Sequence, residues 1–114
     1  MLTPTELKSA LEGRNASARV DFYADNAVIR IIDRDHPPSR PLELRGKSAI
    51  GDYYDDVCAR AMTHHVESAI AAPDQLAFSE SCAYANGTRV FCAAMARTAD
   101  GKIVEQTTVQ AWDS

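Results

Sequence analysis

Over residues 3–13 apolar positions fall at helical spacing, with Leu7, Ala10 and Leu11 on one face. Thr3 precedes them as an N-cap, Pro4 suits the first turn, Glu6 completes a capping box, and Gly13 punctuates the end. Asn15 caps a second predicted helix that aligns Ala16, Val20 and Tyr23. The β-branched run "NAVIRIID" then reads as a strand. In "RDHPPSRP" the prolines lack ladder donors, which predicts a loop, and "LELRG" a short second strand. "KSAIGDYYDDVCARAM" returns to helical spacing, placing Ile50, Tyr54, Val57 and Ala61 on one face.

From residue 63 the period switches to two. Strands are predicted over about 63–72, 75–85, 88–98 and 102–112, joined at Pro73-Asp74, Asn86-Gly87 and Asp100-Gly101. Asn-Gly and Asp-Gly favour tight hairpins because such turns need positive φ. Helices covering one face of such a meander predict an α+β fold, a curved and mostly antiparallel sheet wrapped by three helices. The domain is expected to span residues 1–114. A sheet curved this way and closed at one end leaves a cavity, a usual ligand site.

Composition narrows the partners. A formal charge of −4 disfavours nucleic acid and anionic membranes, which attract basic patches. No apolar run approaches the roughly 20 residues of a membrane-spanning helix, and residues 1–13 lack a basic start followed by an apolar core, so a secretory signal is not expected. Three cysteines without Cys-x-x-Cys spacing fit buried thiols in a reducing compartment, so a cytoplasmic location is expected.

The motifs "FYADNAVI", "LRGKSAIGDYY", "MTHHV" and "DGKIVEQTTVQAWD", in this order, resemble the SnoaL-like branch of the nuclear-transport-factor-2-like superfamily. This branch is related to small polyketide cyclases and ketosteroid isomerases. The resemblance implies a cone-shaped fold, commonly a homodimer, with an apolar pocket between sheet and helices. It implies no single reaction, because the fold hosts several. Ketosteroid isomerases need a carboxylate base, plus a tyrosine and a protonated aspartate at the enolate oxygen. By the resemblance these positions fall at Ile31, near Leu7 and near Ala94, so that chemistry is not expected; two supporting tyrosine positions match at Tyr23 and Tyr54.

Neighbours in a strand point to opposite faces, so His64 and His65 cannot form one metal pair, and neither a metal nor a cofactor is expected. His64 shares its face with Val66, Ser68 and Ile70, the more apolar set, and is assigned to the cavity. A two-residue Asn86-Gly87 turn pairs Ser81 with Cys92 and Ser79 with Ala94; a two-residue Pro73-Asp74 turn sets Val66 against Ser81. A three-residue loop at Asp100-Gly101 pairs Cys92 with Thr108, bringing Gln106, Thr108, Gln110 and Trp112 inward. A one-residue slip would reverse any of these assignments. The expected cavity therefore has walls of Ser79, Ser81, Cys92 and Ala94, with His64, Gln110 and Trp112 as its distinctive groups and Tyr23 and Tyr54 on the covering helices. His64 is the candidate acid/base, against the alternative of a buried, hydrogen-bonded histidine.

The opposite face is expected to carry Phe78, Tyr84, Phe91, Met95 and Val109, interrupted by Glu80 and Arg97. Burial of that face in a homodimer, with pairs such as Glu80 and Arg89 or Arg97, is expected. Asp33 and His36, in the loop before Pro37, are either solvated or at the pocket mouth. The functional expectation is a protein that binds a small organic molecule, with cofactor-free isomerase, cyclase or hydratase chemistry open to it. The alternative is an association module with a vestigial cavity.

Overall fold

The computed structural model describes residues 2–113; Met1 and Ser114, the outermost residues of the expected unit, lie outside them. The order is α1 (Pro4–Glu12), α2 (Ala16–Val20), β1 (Tyr23–Ile32), β2 (Leu42–Arg45), α3 (Lys47–Ala59), β3 (Met62–Ala72), β4 (Gln75–Tyr84), β5 (Arg89–Ala99) and β6 (Lys102–Trp112). The strands form one sheet in the order β2-β1-β6-β5-β4-β3, antiparallel except where β1 runs parallel to β6. This is the α+β architecture expected, a curved, unclosed sheet with three helices on its inner face.

The caps form as their residues suggest. The Thr3 hydroxyl accepts from Glu6 N–H at 3.2 Å and Asn15 Oδ1 accepts from Ala18 N–H at 3.0 Å. The second helix is shorter than its apolar spacing suggests: Asp21 caps it, and Tyr23 opens β1 instead of extending the helix. Tyr23 therefore reaches the core from the sheet. Gly46, at φ +88°, turns the chain from β2 into α3, and its N–H donates to Ala27 O at 2.8 Å.

Leu7 and Leu11 from α1, Ile50 and Tyr54 from α3, and Ile29, Ile31, Phe78, Ala94 and Ile103 from the sheet make the main core. Ile31, Leu7 and Ala94, the three positions that would carry ketosteroid isomerase chemistry, are buried apolar side chains within it.

Two turns differ from their expected forms. At Asn86-Gly87 only the glycine has positive φ, +94°, which excludes a type I′ turn. Gly87 N–H donates to Tyr84 O at 2.9 Å and Tyr84 N–H to Thr88 O at 2.8 Å, so Ala85, Asn86 and Gly87 form a three-residue loop. The extra residue moves the register by one, and Cys92 lies opposite Glu80, with Ala94 opposite Phe78. Phe78, Glu80, Cys82 and Tyr84 accordingly face inward and Ser79 and Ser81 outward, the reverse of the expectation for β4. At Asp100-Gly101 both residues have positive φ, +53° and +78°, and a two-residue turn pairs Ala99 with Lys102. A bulge between Arg97 and Thr98 then sets Cys92 against Gln110. That restores the parity, and Gln106, Thr108, Gln110 and Trp112 do face inward.

On β3 a further bulge lies between Val66 and Ser68. It sets His64 against Cys82 and Val66 against Glu80, keeping His64 inward although its partner strand is turned over. Glu12 at the end of α1 holds this segment, accepting from Val66 N–H at 2.9 Å. Beyond the bulge the parity flips: Ala69 and Ala71 pack on the core, while Ser68 and Ile70 turn outward.

Candidate functional site

His64 and His65 part as the strand geometry requires: their side chains are 2 % and 62 % exposed. His64 Nδ1 lies 3.2 Å from Glu80 Oε1 and 3.2 Å from Cys82 Sγ, and Cys82 Sγ donates to the same Oε1 at 3.2 Å. The short helix α2 supplies the fourth member, Arg19. Its guanidinium lies 4.0 Å over the Tyr54 ring and 3.9 Å from Glu80 Oε2, and the side chain is 9 % exposed.

The charges are set by these neighbours. Contacts with Cys82 and with the Glu80 carboxylate, opposed by burial, raise His64 from its ordinary 6.5 to about 9. Burial pushes the Glu80 carboxyl up, but the His64 hydrogen bond and the Arg19 charge outweigh it and hold Glu80 below the usual range. The contact with Cys92 and burial push the Cys82 thiol well up, so it stays protonated. At neutral pH the cluster is thus an imidazolium, a carboxylate, a thiol and a guanidinium. Nδ1–H and S–H both donate to Glu80 Oε1, leaving His64 Nε2 and Glu80 Oε2 as buried atoms with no hydrogen-bond partner.

His64, Glu80 and Cys82 are also the one group among the described residues whose ligand atoms are close enough to share a metal ion. Arg19 beside Glu80 and the protons held on Nδ1 and Sγ work against a cation there, and the trio closes on itself as a hydrogen-bonded set.

Deeper in the cone runs a polar chain with one direction. Tyr23 O–H donates to Gln106 Oε1 at 2.6 Å, so the 3.2 Å contact between the two phenols has Tyr54 O–H donating to Tyr23; Gln106 Nε2 donates on to Thr108 Oγ1 at 2.9 Å. Nearer the mouth, Trp112 Nε1 donates to Gln110 Oε1 at 3.2 Å and Gln110 Nε2 to the Tyr53 hydroxyl at 3.3 Å. Trp112 stacks on Tyr84 with ring centroids 5.9 Å apart, and Arg34 from the proline-rich loop lies 4.8 Å over the indole. In that same loop His36 Nδ1 lies 2.9 Å from Asp33 Oδ1, and neither side chain lines the cavity.

The cavity between these groups is lined by Arg19, Tyr54, His64, Glu80, Gln110 and Trp112 among others. It has about 590 Å³ of atom-free space including its open mouth, and only about 60 Å³ of it admits the centre of a water-sized sphere. Of the residues expected from sequence, His64, Tyr54, Cys92, Gln110 and Trp112 line the cavity, and Tyr23 supports Tyr54 from beneath. Ser79 and Ser81 do not, because the three-residue loop turns them to the other face. Arg19, Glu80 and Cys82 were not expected. Arg19 carried a signal, since it sits three residues after Ala16 and beside Val20 on the apolar face of α2. Glu80 and Cys82 carried none apart from the register.

A profile of the SnoaL-like domain family matches residues 5–106. A search among curated proteins finds no match to this sequence. Solved structures of the same architecture include an NTF2-like protein of unknown function from Mesorhizobium loti, 18 % identical, with 94 % of this chain and 86 % of that one covered and a TM-score of 0.80. A putative ketosteroid isomerase from Kribbella flavida is 14 % identical over 96 % of this chain and 74 % of its own, with a TM-score of 0.73. A protein with a ketosteroid isomerase-like fold from Catenulispora acidiphila, in complex with trimethylamine, is 19 % identical over 94 % and 85 %, with a TM-score of 0.66. At such identities these likenesses establish a common fold and no activity. The family match spans nearly the whole chain and agrees with the six-stranded sheet, and the chain belongs to the SnoaL-like domain family, on the nuclear-transport-factor-2-like fold.

Proposed function

We propose that this protein binds a small polar organic molecule in its cone cavity, and that His64 presents a proton to it from Nε2. The observation that carries this reading is the buried His64–Glu80 pair on the cavity wall with Nε2 left without a partner. Buried polar atoms are nearly always hydrogen-bonded, and the exceptions call for a functional account. With its proton held to about pH 9, His64 acts as a general acid or an oxyanion donor toward a carbonyl or epoxide oxygen, not as a base. Glu80 stabilises the imidazolium and fixes its orientation through Nδ1. Isomerisation, ring closure or hydration of a small substrate are the reactions such a donor serves without a cofactor.

Size limits the ligand. With only about 60 Å³ open to the centres of water-sized groups, the space is narrow beside the few-hundred-Å³ pockets usual for drug-sized ligands, which favours a ligand well below steroid size. The Catenulispora protein's trimethylamine is a molecule of similarly few atoms. The same narrowness favours a second reading, an association module whose cavity is filled by its own tyrosines and Trp112.

A thermal-shift screen of small carbonyl and epoxide compounds separates the two. Stabilisation by members of the set, lost in His64→Ala while the fold persists, supports the binding reading. Absence of any shift across the set favours the module. For any turnover then found, unchanged rates in His64→Ala would remove the histidine from the mechanism.

We also propose a homodimer through the outer sheet face. Phe91, Met95, Val109 and Ile70 are exposed there, with Met95 74 % accessible. Glu80 lies inside and contributes nothing to that face, while Arg97 pairs with Glu105 of its own chain at 3.0 Å. The contact is therefore apolar.

A further inference from the structure

Arg19 is a guanidinium inside the protein whose side chain makes no hydrogen bond among the described residues. Its one ionic neighbour, Glu80 Oε2, is 3.9 Å away, and its flat face rests on Tyr54. A buried guanidinium normally directs its fork of N–H donors at a carboxylate or phosphate. Arg19 and His64 both line the cavity, and His64 Nε2 is likewise without a partner. Two cationic side chains, each with N–H donors left without an acceptor, line one small cavity.

The charge balance selects the ligand. Arg60, also on the cavity wall, is already matched by Asp56 at 2.5 Å and donates to the Tyr84 hydroxyl at 3.0 Å. Within the cavity there remain Arg19 and His64, both positive, and Glu80, negative, a sum of one positive charge. A monoanion brings that sum to zero, a neutral ligand leaves it, and a monocation doubles it in a site of low dielectric. Phosphate is disfavoured by the second charge that much of it carries at neutral pH and by a cavity otherwise walled with Ile31, Phe78, Val90 and Trp112. A short alkyl chain suits those walls.

From this geometry we propose that the cavity takes a small aliphatic monocarboxylate, its carboxylate bridging Arg19 and His64 and its alkyl or oxo-alkyl portion lying against Trp112 and Phe78. The proposal rests on the binding reading above and names its ligand class. The narrow space favours a short chain, such as that of propionate or pyruvate. Glu80 then holds His64 protonated from behind, and Tyr54 holds the guanidinium plane by stacking, so both donors are oriented before the ligand arrives.

Three near-isosteric probes test this on the wild-type protein at pH 7: propionate, propionamide and propylamine, titrated while the Trp112 indole N–H is followed by NMR. Propionate is expected to bind at least ten-fold more tightly than propionamide, and propylamine more weakly than either. In Arg19→Lys, which keeps the charge and loses the fork, propionate affinity is expected to fall at least five-fold and propionamide affinity by clearly less. Equal binding of propionate and propionamide, or tighter binding of propylamine, overturns the carboxylate assignment while leaving the cavity a binding site. Failure of all three to bind also overturns the carboxylate assignment, and the thermal-shift screen then decides the binding reading separately. If Arg19→Lys does not fold, the order among the three probes on the wild type still decides.

Discussion

Raising the pH from 6.5 to 8 should weaken the fold through one buried pair. His64 passes from its ordinary 6.5 to about 9 on folding. At about 1.4 kcal/mol per pH unit, that makes the imidazolium roughly 3 kcal/mol better placed in the folded chain than in the unfolded one. The energy belongs to His64 and its partners Glu80 and Cys82 together and is counted once. Because the folded pKa is the higher, the folded state binds more protons between the two values. Stability is complete below pH 6.5, falls as the pH rises, and is lost through about pH 9. Between pH 6.5 and 8 the loss integrates to about 1–2 kcal/mol. Thiols of the unfolded chain begin to ionise nearer pH 8.5, so stopping at 8 keeps their contribution small.

Urea unfolding at half-unit intervals, followed by the fluorescence of Trp112, the single tryptophan, measures this. Glu80→Gln supplies the control. It keeps a carbonyl acceptor for Nδ1–H, removes the charge that holds the proton, and leaves Arg19 and His64 facing each other uncompensated. The variant is expected to be less stable by about 3 kcal/mol at pH 7, with the pH slope largely gone. A wild-type stability flat between pH 6.5 and 8, or a slope that survives in Glu80→Gln, would refute the reasoning.

Tyr23→Phe removes the hydroxyl that donates to Gln106 and accepts from Tyr54. The buried partners left behind should cost about 1–3 kcal/mol in the same urea assay, and a change below a few tenths would mean that water replaces the hydroxyl. Gly87→Ala meets no atom within 4 Å but must hold φ +94°, so a loss of about 1 kcal/mol from backbone strain alone is expected. A loss several times larger would mean that the register of β4 depends on this loop more heavily than its hydrogen bonds suggest. Met95→Glu places a charge on the outer face and should convert the proposed dimer to a monomer by light scattering; a dimeric mass kept by the variant would show that the copies meet elsewhere, and a monomeric wild type would overturn the dimer.

The histidine cluster and the proposed carboxylate pocket share their charges. Glu80 is the counter-ion for two cations, and its removal would alter His64 and Arg19 at once. Substitutions at these three positions are therefore not additive, and a double-mutant cycle between Arg19 and His64 reads their coupling more cleanly than either single change.

Periodicity, capping residues and turn dipeptides were enough to place eight of the nine elements within a few residues, because these signals are local and each has a mechanical cause. The exception was Tyr23. Its spacing continues α2, yet the helix stops at Asp21 because pairing with β6 opposite Ile103 draws the tyrosine into the sheet. His64 facing inward was legible from strand alternation and the apolar character of its near neighbours. What surrounds it was not. Asn-Gly fits a two-residue turn and the end of a three-residue loop equally well, and the choice between them decides whether Ser79 and Ser81 or Phe78, Glu80 and Cys82 face the cavity. The decision lies in tertiary packing: one register buries Phe78 among the core residues and the other would expose it. The bulge after Val66 is likewise decided by packing, since it is held by Glu12, a residue from another element. A carboxylate between a histidine and an arginine 16 and 61 positions away is brought about by sheet register and helix docking, and the period of a single strand carries no trace of it.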